Sequence, residues 1–566
     1  MAGECKMKGL RLTSRQTFCW FALALIVLRL WTLSGMPIWA QPFAVHDDAM
    51  MVDVASRLGS GGPDYDQLTL TKGWSFPFFL AVIHKLRVPY IPAMALLNAV
   101  VSLMAVFALS DGEMKPFHYV LFPVLLFNPV MSSQQVLMRV YRNGLSALTA
   151  FAVIVSMIAI YRRRYRQVRT WLPWMTAAGA ALPAFWYTRE DSIWLAPFIA
   201  GVTAVTFASV LISGKKRRAA GILAVMLVPV VALEGSTLAL RAQREARYGV
   251  GITNELTEGE FPRVMRAIYA VKADEEEPLC VAASRAKIRM LYAYSPTLAG
   301  IREELENRLD DWAQYVRYEE NRANGEVENG WFFWCLRDAA QKAGYFSSLE
   351  ASQAFWKQIA DELEAAMDSG ALTRRATMPS ALMSPWVEGT GQRLVSALMQ
   401  IPGFVASFDG VQGNMVFSDG RQGKWVNRFE EITGNHAVCW IDESFYNAAV
   451  SAMDTQNAIA GVYQHVWPVV SWAGRLCAIA LLVLLMIRRG GDMALHETVW
   501  MLAGLAGALL VLYGGVAYNH AESCNSIITL YLSAAYPIVL LFDLLAVRGA
   551  VTTLRSASRI RKKTGE

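Results

Sequence analysis

The chain has 566 residues, of which 54% are hydrophobic and 18% charged, with a formal net charge of +6. Its mean hydropathy of +0.29 is too high for an ordinary soluble globular protein. The charged fraction nevertheless requires that part of the chain lies in water. Because the basic residues stand in short clusters between apolar runs, they are typical of a membrane protein and argue against a nucleic-acid partner.

The apolar runs predict about ten membrane-spanning helices, since each is long enough to cross a bilayer. The runs are 17–39, 91–110, 116–131, 143–161, 170–188, 192–212, 219–240, 462–487, 497–517 and 526–547. If the N-terminus is cytoplasmic, all the basic clusters fall on the cytoplasmic side, at 162–169, 215–218, 488–489 and 559–563. The sequence therefore predicts a multi-pass plasma-membrane protein with both termini in the cytoplasm. The first run lacks a small-residue cleavage site and is interpreted as a retained helix.

The apolar segment 74–86 is too short to span a membrane comfortably. If it did span, the basic cluster at 162–169 would lie outside. We therefore predict an interfacial helix on the outer leaflet, between the first two spanning helices.

Between the seventh and eighth runs the composition becomes that of a mostly helical, extracytoplasmic soluble domain. Ser347 followed by Glu350 has the pattern of a helix start, and Gly370 that of a stop. Between them one helical face carries Phe355, Ile359, Leu363 and Met367. The glycine- and valine-rich stretch 402–442 favours turns or short strands. Three parts are thus predicted, a seven-helix module at 1–240, the outer domain at 241–460 and a three-helix module at 461–566.

Four cysteines fall on the predicted outer side, where an oxidising compartment would permit disulfides. They are Cys280, Cys335, Cys439 and Cys524. Their pairing cannot be deduced from the sequence.

The first outer loop, 40–90, contains the most informative residues in the chain. Asp47 and Asp48 follow the first spanning run closely, so two adjacent carboxylates would stand at the membrane surface. Such a pair can act as a base or bind a metal. The alternative is that the two acids cap a following helix at 50–58, since Asp is favoured at helix starts.

The order of features in this loop resembles that of membrane glycosyltransferases with the GT-C fold, especially the protein O-mannosyltransferases and the aminoarabinose transferases. In that group an acidic pair follows the first helix, and a Lys-Pro or His-Pro segment opens an interfacial helix. Here the pair is Asp47-Asp48, Ala55 is the small residue, and Lys72-Gly73 stands where Lys-Pro is expected. The match covers about forty-five residues, and hydropathy extends it more loosely to the rest of the chain.

The resemblance implies a GT-C-like helical bundle and a polyprenyl-phosphate-linked sugar donor bound from the outer leaflet. Asp47 would be the base that deprotonates the acceptor, which is a glycan, a lipid or a protein. Asp48 would assist by hydrogen bonding or by binding a divalent cation, and Lys72 would hold the donor phosphate. The alternative for Lys72 is an interfacial lysine that meets lipid headgroups.

Other charged residues stand at the predicted outer boundary. Arg139 and Arg142 suit phosphate through their planar guanidinium groups, although snorkelling at a helix end explains them equally well. Glu190 and Asp191 would add metal ligands to Asp47 and Asp48 if the helices converge, or form a solvated turn. Candidate substrate-binding residues are His46, Arg189, His520 and Glu522, with a hydrogen-bonded surface role as the alternative for His520.

No phosphate-cradling glycine loop or dinucleotide turn occurs, so no nucleotide cofactor is expected. A divalent cation, Mg²⁺ or Mn²⁺, remains open. The leading hypothesis is therefore a lipid-dependent glycosyltransferase. The competing hypotheses are a transporter or flippase for a lipid-linked saccharide, and a non-catalytic binding scaffold.

Overall fold

A computed structural model describes residues 13–42, 44–60, 62–273, 277–328, 330–376, 380–383, 386–418, 423–439, 443–487, 493–523 and 525–564. Within these ranges the chain is almost wholly helical, and backbone pairing is limited to isolated bridges. The helical membrane-protein class predicted from the sequence is confirmed.

The N-terminal part is built around one fully buried helix. Its helices are α1 (Ser14–Thr32), α2 (Asp48–Arg57), α3 (Ser75–Leu86), α4 (Tyr90–Leu109), α5 (Pro116–Leu126), α6 (Asn143–Arg162), α7 (Leu172–Trp186), α8 (Ala196–Ile212) and α9 (Lys216–Tyr248). Helices α4, α7 and α8 pack around α6, which is buried along its whole apolar length. The start of α6 is therefore held in place by the surrounding helices, and so are side chains that lie near it.

The middle of the chain forms a second, separate hydrophobic core, with buried residues from Leu256 to Ala381. Its helices are α10 (Glu260–Ala270), α11 (Arg285–Leu291), α12 (Pro296–Ala299), α13 (Arg302–Ala313), α14 (Glu319–Ala323), α15 (Phe332–Lys342) and α16 (Leu349–Asp368). The predicted apolar face of α16 is confirmed, since all four of its residues are buried. The helix start is one residue later than predicted, because Ser348 rather than Ser347 accepts the capping hydrogen bond, from the backbone N–H of Ala351.

The C-terminal part returns to the first core. Its helices are α17 (Thr390–Ala406), α18 (Gly423–Thr433), α19 (Glu443–Ile487), α20 (Met493–Ser523), α21 (Thr529–Leu532) and α22 (Ala535–Thr564). The prediction of turns or short strands at 402–442 is wrong at 402–406, where α17 continues through Pro402, and at 423–433, which is α18. It is confirmed at 407–410, which forms turns. Ala397 and Ile401 of α17 are buried among the membrane helices, and this burial stabilises a helix that its glycines and proline disfavour.

Seven helical segments in the described ranges are long and apolar enough to cross a membrane. They are Tyr90–Leu109, Asn143–Arg162, Ser192–Ile212, Lys216–Tyr248, Phe445–Ile487, Met493–Ser523 and Ala535–Ser556. The other three predicted spans coincide with α1, α5 and α7, of which α5 has only 11 residues and α7 only 15. The total of ten spans, the sidedness and the outer position of the second core remain predictions.

Three charged residues within the apolar helices bond to neighbouring helices, and two of them, Arg29 and Asp543, are buried. Arg29 of α1 donates to the Gln456 side chain at 2.8 Å, and Arg475 of α19 donates to the Pro402 carbonyl at 3.1 Å. Asp543 of α22 accepts from the Trp467 indole at 3.0 Å. These bonds offset the cost of placing polar groups in an apolar environment.

The cysteine predictions have mixed outcomes. Cys280 is disulfide-bonded, whereas Cys335 is a buried thiol in α15. Cys524 lies outside the described residues. A bridge involving Cys280 is therefore confirmed, and Cys335 is excluded from any bridge.

The topology can be tested at Ser369, an exposed residue just after α16. If the second core is extracytoplasmic, a membrane-impermeant maleimide should label Ser369→Cys in intact cells. Ser213→Cys, which is also exposed and next to a predicted cytoplasmic cluster, should label only after the cells are opened. The unsubstituted protein gives the background from native cysteines such as the exposed Cys19. The reverse pattern would overturn the predicted sidedness.

Candidate active site

The segment after α1 is held against the start of α6 by backbone bonds. The Trp39 N–H donates to the Met138 carbonyl at 2.7 Å, in a parallel bridge between Trp39 and Arg139. A second parallel bridge joins Ile38 to Ala437. These contacts fix residues 38 and 39 beside Arg139. The acidic pair, which follows a few residues later, therefore lies next to Arg139.

Asp47 stands at the N-cap position of α2, but its side chain makes no capping hydrogen bond. The carboxylate instead bonds to Lys72 Nζ at 2.9 Å and accepts from the Tyr141 hydroxyl at 2.9 Å. Arg139 lies 3.7 Å from its second oxygen. The helix-cap alternative therefore fails for this side chain, which turns toward three polar groups from distant parts of the chain.

Asp48 is fully buried and is held by one arginine. Arg139 Nε and Nη2 donate to its two oxygens at 2.7–3.0 Å, a bidentate arrangement that a lysine could not form. Asp48 has no accessible surface, and its ion pair holds Arg139 with Nη2 3.7 Å from Asp47 Oδ2.

Lys72 reaches Asp47 because the chain around Gly73 passes very close to the loop after α7. A Cβ atom at Gly73 would lie 2.0 Å from the Tyr187 carbonyl oxygen, so only glycine is accommodated. The Ser75 N–H donates to the same carbonyl at 3.1 Å. This contact explains why glycine, and not the proline of the resembled family, follows Lys72. Proline also carries a Cβ atom, which would clash with the Tyr187 carbonyl oxygen in the same way.

The loop between α7 and α8 contributes two more ion pairs. Arg142 donates to Glu190 at 2.7 Å and to the Thr188 carbonyl at 3.1 Å, while its Nε has no hydrogen-bond partner among the described residues. Arg189 binds Asp191 with two bonds of 2.6 and 2.7 Å. Arg142 also stacks on Tyr141, which links this loop to Asp47.

The predicted carboxylates and cations thus form one cluster of four ion pairs, which we call the charge cluster. The pairs are Asp47–Lys72, Asp48–Arg139, Glu190–Arg142 and Asp191–Arg189. The formal charges cancel. Asp47 and Asp191 keep 39% and 55% of their side-chain surface accessible, so these two carboxylates face open space while their partners are nearly buried.

Each carboxylate predicted as a metal ligand is bonded to a basic side chain in this structure. Among the described residues no group of three or more His, Cys, Asp or Glu side chains could hold a metal ion. The chemistry of the donor set therefore suits a ligand that is itself anionic, such as a phosphate, better than a bare cation. A divalent cation remains a prediction from the resemblance.

The pKa values of the two adjacent carboxyl groups are shifted in opposite directions. Burial alone would raise the pKa of Asp47, but Lys72 and Arg139 outweigh it and hold this pKa well below its usual range. For Asp48 burial dominates the attraction of Arg139 and raises the pKa to about 6. Asp47 in turn raises the pKa of Lys72 to about 12 against the effect of burial. Asp47 is therefore an ionised but weakly basic carboxylate in this state.

His46 lies at the edge of the charge cluster against the second core. Its Nε2 is 3.3 Å from Asp338 Oδ1, and its ring packs on Trp334 and Trp312 with centroid separations of 4.7 and 5.3 Å. Lys72 Nζ lies 5.4 Å from the centre of the same Trp334 ring. The second core thus contributes one wall of the site.

The sequence did not point to Trp334 or Asp338. The only available signal was the Trp331-Phe332-Phe333-Trp334 run in an otherwise polar region. That run is equally typical of a domain core, and Phe332 is indeed fully buried in one.

Two predicted substrate-binding residues lie elsewhere. His520 and Glu522 are at the end of α20, where His520 Nδ1 accepts from the Ser526 N–H at 3.1 Å and Glu522 is buried. Nearby, Arg393 of α17 donates to the Ala521 carbonyl at 3.0 Å. None of the contacts described for His520 is with the charge cluster, so the alternative of a hydrogen-bonded structural histidine fits the structure better.

Comparisons with protein-family models, with curated proteins and with solved structures find no match. A function can therefore be inferred only from the residues of the charge cluster and from the resemblance of the first loop.

The raised pKa of Asp48 predicts an unusual pH dependence of stability. Because its folded-state pKa of about 6 exceeds the ordinary 3.8, the folded protein takes up a proton before the unfolded chain does. The free energy of unfolding should therefore gain about 1 kcal/mol from this group as the pH falls from about 7 to about 5. Asp47 has a lowered pKa, so the stability that its ionised form contributes is lost only below about pH 4.

The measurement is the apparent unfolding temperature of purified protein across this pH range. Asp48→Asn lacks the titrating group, so its unfolding temperature should rise less on acidification than that of the unsubstituted protein. Parallel pH profiles for the two proteins would show that Asp48 does not titrate in this window.

Proposed function

We propose that this protein is an integral-membrane glycosyltransferase. It moves a sugar from a polyprenyl-phosphate donor to an acceptor on the outer face of the plasma membrane, and the reaction takes place at the charge cluster. The outer domain, the GT-C-like arrangement and the ten spans belong to the same proposal.

The observation that carries the proposal is the Asp47–Lys72 ion pair. The two side chains come from separate parts of the first loop and meet at 2.9 Å, with Asp47 still 39% accessible. A base candidate and a phosphate-binding candidate are thus adjacent and open to a ligand. Their separation suits a reaction in which a proton is accepted next to a phosphate leaving group.

The lowered pKa of Asp47 gives the reaction a natural order. In the structure Lys72 neutralises Asp47, and a carboxylate so stabilised is a poor base. A donor phosphate that binds Lys72 competes for that cation. As the ion pair loosens, the pKa of Asp47 moves back toward its ordinary value, so Asp47 becomes a better base only when the donor is present.

The chemical step follows from that arrangement. The acceptor hydroxyl oxygen forms a bond to the anomeric carbon while its proton passes to Asp47. The bond between the anomeric carbon and the phosphate oxygen breaks, and the polyprenyl phosphate leaves with the electron pair. Lys72 and Arg139 stabilise the charge that develops on this leaving group.

The alternative proposal is a transporter or flippase for the same lipid-linked saccharide. Transport sites are usually expected near the middle of the membrane. Here the clustered charges come from connecting loops and helix ends, at 46–48, 72, 139–142 and 189–191. Their position supports chemistry at the membrane surface over passage through the bundle.

Asp47→Asn tests the base directly, because it keeps the shape of the side chain and removes its basic oxygen. Turnover should fall about 10²–10⁴-fold, the usual contribution of a positioned base. The assay follows sugar transfer by purified protein from polyprenyl-phosphate mannose, glucose or arabinose, with and without Mg²⁺ or Mn²⁺. Near-normal transfer by this variant would remove Asp47 as the base, and movement of the donor between leaflets without transfer would favour the transporter.

Lys72→Ala should behave differently from Asp47→Asn. It removes a phosphate contact present in both the ground state and the transition state, so donor binding should weaken together with turnover. Asp47→Asn should instead bind the donor at least as well, since Lys72 is released. Lys85, near the end of α3 and exposed, offers a matched control in Lys85→Ala, which should change neither measurement. Equal donor affinity in Lys72→Ala and the unsubstituted protein would exclude Lys72 from phosphate binding.

A further inference from the structure

The wall that the second core presents to the charge cluster is unusually rich in aromatic rings. Trp312 and Trp331 pack at 5.7 Å between ring centres, and His46 connects Trp312 to Trp334. Trp334 is nearly buried, but Trp312 and Trp331 are only half-buried and lie at the edge of the second core. Tyr315, one helical turn after Trp312, is 68% exposed.

Three polar side chains linked by hydrogen bonds, Asp338, His46 and Gln67, border these rings. Asp338 accepts from His46 Nε2 and from the Gln67 side-chain amide. The hydrogen bond between His46 and Asp338 uses the Nε2 atom of the ring. The rim therefore offers a carboxylate, an amide and an imidazole, which together can both donate and accept hydrogen bonds.

We propose that this aromatic wall is a saccharide-binding subsite, and that the acceptor at the neighbouring charge cluster is a glycan. A sugar ring presents an apolar C–H face and a rim of hydroxyl groups. Half-exposed indole rings can pack against the apolar C–H face, and the carboxylate, amide and imidazole can hydrogen-bond to the hydroxyl groups. The assignment of this saccharide as the acceptor rests on the proposed function, whereas the binding itself does not.

The location of the subsite supports this choice over a lipid or a protein acceptor. Trp334 lies 5.4 Å from Lys72 Nζ, and His46 precedes Asp47 directly, so a sugar stacked here would present a hydroxyl group beside the base. A lipid chain would leave the carboxylate and imidazole unused. An extended peptide would need exposed backbone partners, and the described secondary structure offers no strand edge on this wall.

Binding can be measured on the full-length protein without any transfer reaction. Isothermal titration and saturation-transfer NMR would use four tetrasaccharides, built from glucose, N-acetylglucosamine, mannose or arabinose, and a threonine-rich peptide as the protein-type probe. At least one tetrasaccharide should bind, and Trp312→Ala and Trp331→Ala should weaken that binding about tenfold or more. Trp386→Ala removes an equally large but 54% exposed ring outside this wall and should leave binding unchanged.

Two further variants protect the test against loss of folding. Trp312→Tyr keeps an aromatic face and should retain most of the affinity, while Asp338→Asn keeps the volume and should weaken binding through its lost charge. Failure of all four tetrasaccharides to bind at millimolar concentration, binding that none of the variants changes, or binding of the peptide alone would overturn the proposal. Saccharide binding without sugar transfer would instead leave the subsite standing and count against the transferase.

Discussion

The structure of the candidate site depends on the pairing of charges that are taken out of water together. Eight ionised side chains occupy a small volume, and an unpaired member would be very costly there. Three of the four pairs also join separate segments of the chain, such as Asp48 with Arg139 and Lys72 with Asp47, whereas Arg189 and Asp191 lie in one loop. The pairing therefore determines how the first loop, the start of α6 and the loop after α7 converge. Pairs of this kind contribute little net stability, so their value lies in specifying the arrangement.

When no ligand is bound, every cation of the charge cluster is already paired with a carboxylate. A ligand that enters must offer a better partner to one of them, and the accessible pairs are those that contain Asp47 and Asp191. A phosphate anion meets this requirement, whereas a neutral ligand does not. The proposed order of events, in which the anion first releases the base, follows from this exchange.

The sequence predicted the membrane class, most of the helices and the main members of the cluster, because those depend on local patterns. Apolar runs mark helices, and an acidic pair after a spanning run stands out. The sequence did not predict which acid is buried, since Asp47 and Asp48 are neighbours and only the fold distinguishes them. It also missed the helical parts of 402–442, such as the end of α17, where Pro402 and Gly403 disfavour a helix that burial against the membrane core nevertheless stabilises. Trp334 and Asp338 were missed because they come from a domain whose docking onto the first loop leaves no local signal.

The close approach at Gly73 has a mechanical consequence for this site. The backbone next to Lys72 touches the carbonyl of Tyr187 with no side chain between them, and the Ser75 N–H closes the contact. The segment that carries Lys72 and the loop that carries Glu190 are thereby held together by direct backbone contact. A movement of these two segments apart would break that contact. Selectivity should consequently arise from the fixed shape of the opening and from the rearrangement of individual side chains, and a larger residue at position 73 would widen the opening and misalign both segments at once.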